Sequence, residues 1–133
     1  MAPAIDLTPI GRVESPLTGR ALAPKQGDEG SPEAWLVFHQ EVADALTDLA
    51  PGTEILVLTW LHQARRDTLR THPRDDQSQP ERGVFSTRSP DRPNPIGLHR
   101  VPVLEVDGLR IKVGHLEAID GTPVLDVKPV LHP

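Results

Sequence analysis

Cysteine is absent from this 133-residue chain, which excludes disulfides and thiolate metal sites. Tyrosine is absent too, and the aromatic side chains are only Trp35, Trp60, Phe38 and Phe85, so valine, leucine and isoleucine must fill the core. No apolar run approaches the roughly eighteen residues that cross a membrane as a helix. Net positive charge is lacking as well. Fourteen Lys and Arg face nineteen Asp and Glu, and a balance of -5 argues against broad electrostatic binding to nucleic acid. The opening Met1-Ala2-Pro3-Ala4-Ile5-Asp6 has neither a basic nor an apolar stretch, so no secretory signal is expected and a cytoplasmic setting is. G-x-G-x-x-G and G-x-x-x-x-G-K-[ST] are missing, and with them dinucleotide and P-loop machinery. There is no G-x-S-x-G and no cysteine nucleophile. The histidines (39, 62, 72, 99, 115 and 132) show no H-x-H or H-x-x-x-H spacing, so no metal site is expected.

What is abundant is proline, at fifteen residues, with ten glycines. That implies many turns and short elements. The length suits one domain, 1–133, with 1–8 as a flexible N-terminus. Pro9-Ile10-Gly11-Arg12-Val13-Glu14-Ser15 alternates as a first strand would, and 16–32 reads as a long exposed loop. Trp35 to Phe38 predicts a short strand. Val42, Ala45, Leu46 and Leu49 then predict a helix of two to three turns, ended by Pro51-Gly52. Glu54 to His62 is almost continuously apolar, which suits a strand buried on both faces. Residues 63–82 are polar, and Gly83 to Arg88 reads as another strand. Leu98–Val106 and Leu109–Leu116 flank Asp107-Gly108, a strong hairpin signal, with Pro102 marking an edge or a bulge. Asp120 to Pro123 is a turn before a last strand, Val124–Lys128. Six or seven short strands, one small helix and no βαβα alternation predict a mainly β, compact, antiparallel barrel-like domain.

The densest motif is Arg88-Ser89-Pro90-Asp91-Arg92-Pro93-Asn94-Pro95-Ile96-Gly97. Each proline fixes φ, removes a donor and drives the residue before it out of the helical region. The segment is therefore a stiff, pre-shaped loop. Arg88 and Arg92 suit a carboxylate or phosphate, Asn94 suits a polar ligand edge, and pre-ordering lowers the entropy cost of binding. The bland alternative is an Ω-type loop whose arginines pair with local acids.

Spacing alone favours a structural role for the Asp120–Lys128 segment, and the remaining groups are evenly balanced. Asp126 and Lys128 sit at i and i+2 on one strand face, where a surface ion pair contributes little. His62 ends a strand and suits either a general base or a partly buried cap. Arg65, Arg66, Arg70 and Arg74 make a basic stretch that suits RNA phosphates, yet five acids lie between Arg65 and Arg92.

Arg82 to Leu98, followed by Asp120-Gly121-Thr122-Pro123-Val124-Leu125-Asp126-Val127-Lys128-Pro129, resembles the TsaA/TrmO family. Ile10 to Pro16, Ala23-Pro24-Lys25-Gln26 and the strand ending in Trp60-Leu61-His62 resemble the same family, so the likeness runs from about residue 9 to 131. The resemblance implies a β-barrel that binds S-adenosylmethionine, usually as a homodimer with the cofactor near the subunit interface. It implies methylation at N6 of threonylcarbamoyl-modified adenosine beside the tRNA anticodon. By carry-over, Arg88, Ser89, Arg92, Pro93, Asn94, Pro95, Ile96 and Gly97 would line the cofactor site with Asp120, Gly121, Thr122 and Pro123. Gln26, Phe85 and His62 are further candidates for that pocket. Asp120, Asp126 and His62 are the catalytic candidates, an acid standing near the sulfonium or taking the N6 proton. In-line methyl transfer draws much of its rate from alignment and needs no metal and no protein nucleophile. Longer bacterial members carry a further C-terminal domain; the sequence here closes with Val130-Leu131-His132-Pro133, as a short form would. Two alternatives keep the cofactor: a small-molecule N- or O-methyltransferase, and a non-catalytic S-adenosylmethionine-binding module. Closure of loops 17–32 and 63–82 over the cofactor is a further expectation.

Overall fold

The structure, a computed structural model, describes residues 3–19 and 31–132. Its strands are β1 (Gly11–Glu14), β2 (Ala34–Phe38), β3 (Glu54–Trp60), β4 (Arg70–Thr71), β5 (Arg82–Gly83), β6 (Ile96–Asp107), β7 (Arg110–Val113) and β8 (Pro123–Pro129). Six of them form one antiparallel sheet in the order β1-β2-β7-β6-β3-β8, and β8 pairs back onto β1. The sheet is closed and barrel-like, which leaves it no free edge. β4 and β5 form a separate two-stranded ribbon beside it. Among the described residues no helix is long and apolar enough to cross a membrane.

Alternation supplies the core. Val13, Leu36, Ile55, Val57, Val101, Val103, Ile111, Val113 and Val124 point inward from the six strands, and Leu116 and Ala118 close one end. Burying each such aliphatic side chain stabilises the fold by about 1.5–3 kcal/mol before entropy is counted. β6 spans twelve residues and serves two partners. Ile96–Pro102 pairs with β3, and Val103–Asp107 pairs with β7. The register slips between Val103 and Glu105, leaving Leu104 as the extra residue, two positions past Pro102. Outside the ring, Glu54 and Arg100 join β3 to β6 through a two-pronged pair at 3.0 and 3.1 Å. The hydrogen bond from Arg100 holds the Glu54 carboxyl below its usual range.

Three local expectations need correction, and one is met in altered form. The run Glu54–His62 is not buried on both faces. Ile55, Val57 and Thr59 are buried, while Leu56, Leu58 and Trp60 face outward and are half-exposed. The helix expected after β2 is present as a kinked 3-10 helix, Gln40–Leu46, with Val42 off helical geometry and Leu49 beyond its end. Gly83–Arg88 is not a strand: β5 ends at Gly83 and Val84–Ser86 is a 3-10 turn. The hairpin turn is Gly108-Leu109, since Asp107 pairs with Arg110. Gly108 at φ +60 takes the first central place, where a type II′ turn calls for glycine.

Candidate functional site

Strand β3 leads directly into the loop network. Leu61 N–H donates to Pro95 O at 2.8 Å, Arg92 N–H to Arg65 O at 3.1 Å, and Arg65 N–H to the Asp91 carboxylate at 2.8 Å. These bonds lay residues 61–66 alongside the proline-rich loop. The loop is also tied internally: Ser89 N–H donates to Thr87 Oγ1 and Asp91 N–H to Ser89 Oγ. Between this network, the β4–β5 ribbon and the end of the ring lies a cleft of about 1150 Å³. A pocket for one small organic ligand takes roughly 300–1000 Å³, so the cleft accommodates a ligand of nucleoside size.

The cleft brings together His62, Arg88, Ser89, Arg92, Ile96, Gly97, Thr122 and Arg74 from the sequence candidates. Arg88 is exposed and donates to Leu98 O at 3.1 Å. Arg92 is half-buried, and its guanidinium reaches the carbonyls of Val84 (2.8 Å), Ser89 (2.9 Å) and Thr87 (3.1 Å). It builds the wall rather than presenting a free fork.

Other candidates stand elsewhere. Asn94 accepts from Arg66 Nη2 at 3.0 Å, and Pro93 O accepts from Arg66 Nε at 2.8 Å. Arg66 in turn lies 5.0 Å over the Trp60 ring. Asn94 and Pro123 thus border a second, shallower hollow with Trp60, Ile5 and Leu7. Pro95 is buried, and Pro93 is half-buried. Asp120 accepts from Ser15 N–H at 3.0 Å, and Thr122 N–H closes a turn onto Ile119 O. Gly121, at φ +83, holds the third turn position that only glycine takes readily. Asp126 accepts from Val127 N–H and pairs with Lys128 at 3.2 Å, outside the cleft. Phe85 is 84% exposed and does not line the cleft. Arg65 pairs with Asp67, and Arg70 with Glu81. Gln26 lies outside the described residues.

Sequence reasoning missed the floor of the cleft. His99 is buried there, its Nε2 2.8 Å from Thr59 Oγ1 and its Nδ1 3.7 Å from Glu117 Oε1. His99 Nδ1 and Glu117 Oε2 are buried with no hydrogen-bond partner. One signal was available. His99 shares strand parity with Val101 and Val103, and a polar residue on the inward face of a strand needs a reason to be there. Glycine at 97 keeps this floor open: a Cβ there would strike Thr59 Oγ1, His99 Nε2 and Leu61 Cδ2.

Residues 12–133 match the family described as tRNA-methyltransferase O N-terminal domain. The chain belongs to that family. This TrmO-type domain is 46% identical over 122 residues to an S-adenosyl-L-methionine-binding protein of Archaeoglobus fulgidus, covering 92% of this chain and 86% of that one. It is 34% identical over 131 residues to the tRNA (adenine(37)-N6)-methyltransferase of Escherichia coli K12, covering 92% of this chain and 56% of that one. A crystal structure of TrmO from P. aeruginosa superposes with a TM-score of 0.77 at 27% identity, over 98% of this chain and 56% of that one. The TrmO-type domain therefore spans little more than half the length of those two proteins.

Proposed function

We propose that the cleft binds S-adenosylmethionine and that the domain transfers its methyl group to N6 of threonylcarbamoyl-modified adenosine beside the tRNA anticodon. The observation that carries this reading is the cleft itself. It is pre-shaped by the Arg92 anchor, floored by unpartnered polar atoms, and large enough for the cofactor. The residues present fit the cofactor. Arg88 uses one donor on Leu98 O and is open to a carboxylate, and Leu61 and Ile96 offer apolar surface for an adenine. Ser89 and Thr122 add hydroxyls at the wall. S-adenosylmethionine supplies an electrophilic methyl group on a sulfonium. The chain's part is to align the acceptor, exclude water and take up a proton. Arg74 at the cleft, with Arg70 and Arg82 on the adjoining ribbon, offers cations for RNA phosphate despite the acidic whole. Such a substrate belongs in the cytoplasm.

Calorimetric titration with S-adenosylmethionine and then S-adenosylhomocysteine is expected to show saturable micromolar binding of both. Addition of tRNA bearing threonylcarbamoyladenosine should then yield S-adenosylhomocysteine and a methylated nucleoside. No binding of either ligand overturns the reading. A second reading, binding without transfer, is favoured by what the Archaeoglobus relative is called. Cofactor binding with no S-adenosylhomocysteine formed on the modified tRNA would select it, or the small-molecule acceptor if another substrate is turned over.

A homodimer accounts for the outward face of β3 and β6. Leu58 pairs with Leu98 and Trp60 with Ile96, and both Ile96 and Leu98 remain 42% exposed. Two neighbouring charges are paired within the chain, Glu54 with Arg100 and Asp126 with Lys128, which lowers the cost of covering them with a second copy. Sedimentation is expected to give twice the chain mass for the wild type and the single mass for Leu58→Asp, a position on this face outside the cleft lining. A monomeric wild type would remove the dimer from the proposal.

A further inference from the structure

We infer that Glu117 accepts the proton released in the transfer, and that His99, backed by Thr59, is its positioning residue. The inference rests on the reading of the cleft as a methyl-transfer site.

An exocyclic adenosine nitrogen that carries a carbamoyl group is a poor nucleophile, because its lone pair is delocalised into the ring and the carbonyl. It becomes competent as its proton leaves. A carboxylate within reach is therefore required, and the described cleft residues offer four: Asp75, Asp76, Asp91 and Glu117. Asp76 is held by Ser78 N–H and Oγ, and Asp91 by Arg65 N–H. Both organise loops. Asp75 sits exposed in a left-handed conformation at φ +57. Glu117 differs: it is half-buried, lines the floor, and keeps one oxygen buried without a donor. Burying an unpartnered carboxylate oxygen is unfavourable, so a rotation of the carboxylate that gives it a donor is favoured.

His99 explains how Glu117 is held. A neutral imidazole carries one N–H. With the proton on Nε2, a bare Nδ1 lone pair would face the carboxylate at 3.7 Å. With the proton on Nδ1, Thr59 Oγ–H donates to Nε2 across 2.8 Å and Nδ1–H faces Glu117. The second arrangement puts donor against acceptor at both ends. The terminal torsion of glutamate is soft. A small turn brings one oxygen onto Nδ1–H and presents the other to the cleft. In the transfer, Glu117 takes the proton as the acceptor nitrogen bonds the methyl carbon. The electrons of the N–H bond stay on nitrogen, and those of the breaking C–S bond stay on sulfur, which becomes a neutral thioether. His99 keeps its proton throughout.

The test combines calorimetry, turnover and ¹⁵N NMR on the full chain, with S-adenosylmethionine and tRNA bearing threonylcarbamoyladenosine. Glu117→Gln is expected to bind S-adenosylmethionine within about threefold of wild type and to lose roughly 100-fold or more in kcat, the range for a removed general base. His99→Ala should lower kcat with little change in cofactor affinity. His99→Asn, whose amide N–H stands where Nδ1–H stood, should recover most of it. The wild-type ring should show Nδ1 protonated, and its resonance should shift in Glu117→Gln. Equal turnover in Glu117→Gln and wild type, or a ring protonated on Nε2, overturns the inference and leaves the cleft reading standing. A wild type that binds no S-adenosylmethionine overturns both.

Discussion

Replacing Gly11 with alanine is expected to destabilise the fold by about 3 kcal/mol or more, at the upper end of the cost of overpacking with lost hydrogen bonds. Gly11 is buried in β1, opposite Phe38 of β2 and Val124 of β8. A Cβ at this position would run into the carbonyl oxygen of Val37 and lie 3.0 Å from Phe38 Cα and 3.1 Å from Val37 C. All three atoms are backbone, so no rotamer change relieves the contact. β1 must move away from β2, which strains the bonds from Ile10 N–H to Val124 O and from His39 N–H to Ile10 O. In an open sheet an edge strand shifts cheaply. Here β1 closes the ring, so movement away from β2 presses on β8. Gly19→Ala is the control, because nothing lies within 4 Å of its added Cβ. Urea unfolding should place Gly19→Ala within about 0.5 kcal/mol of wild type. Equal midpoints for the two variants would show that the ring accommodates the contact and would sink this account.

Most of the strands were legible because alternation is a local property. β1 and β7 lie within the segments that alternate, β2 exceeds its segment by one residue at one end and β8 by one at each, and β6 starts at Ile96, two residues inside the run read as a rigid loop. β3 was legible as a strand but not as a one-sided one. Leu56, Leu58 and Trp60 are as apolar as the inward residues, and periodicity cannot say whether this chain or another molecule covers them. The 3-10 turn at Val84–Ser86 was hidden for a different reason. Its residues favour strands, but the Val84 carbonyl accepts from Arg92, eight positions away, and Thr87 N–H folds back onto the same oxygen. A long-range guanidinium overrode local propensity. The cleft was legible as a loop with arginines and prolines. The roles inside it were not. Asp120 and Asp126 are anchored by backbone N–H groups, while the unpartnered carboxylate oxygen belongs to Glu117, eighteen residues from His99 and linked to it by no spacing. Only closure of the sheet brings that pair together.

Arg92 carries the second large effect, and lysine is not expected to substitute for it. Its guanidinium gathers three carbonyls from a stretch of six residues, Val84, Thr87 and Ser89, and it is half-buried while doing so. Those carbonyls converge because a planar fork points N–H groups in fixed directions. An ammonium group on a lysine stem cannot span the same three acceptors. In Arg92→Ala and Arg92→Lys alike, carbonyls inside the loop lose their donor, at about 1.5–3 kcal/mol for a hydrogen bond to a charged group. The loop then samples other conformations, and cofactor binding must draw on the few that retain the wall. Affinity for S-adenosylmethionine is expected to fall about ten- to hundredfold in both variants, which is the same energy read as a population of competent loops. Arg88→Ala should differ in kind. Arg88 is exposed and makes one backbone contact, so its loss is expected to weaken binding of the proposed cofactor without unfastening the loop. Limited proteolysis separates the two cases. The Arg92 variants should be cut faster between residues 84 and 95 without ligand, and Arg88→Ala should be cut as wild type is. Arg92→Lys binding with wild-type affinity and wild-type protection would show that the loop holds its shape by its prolines alone.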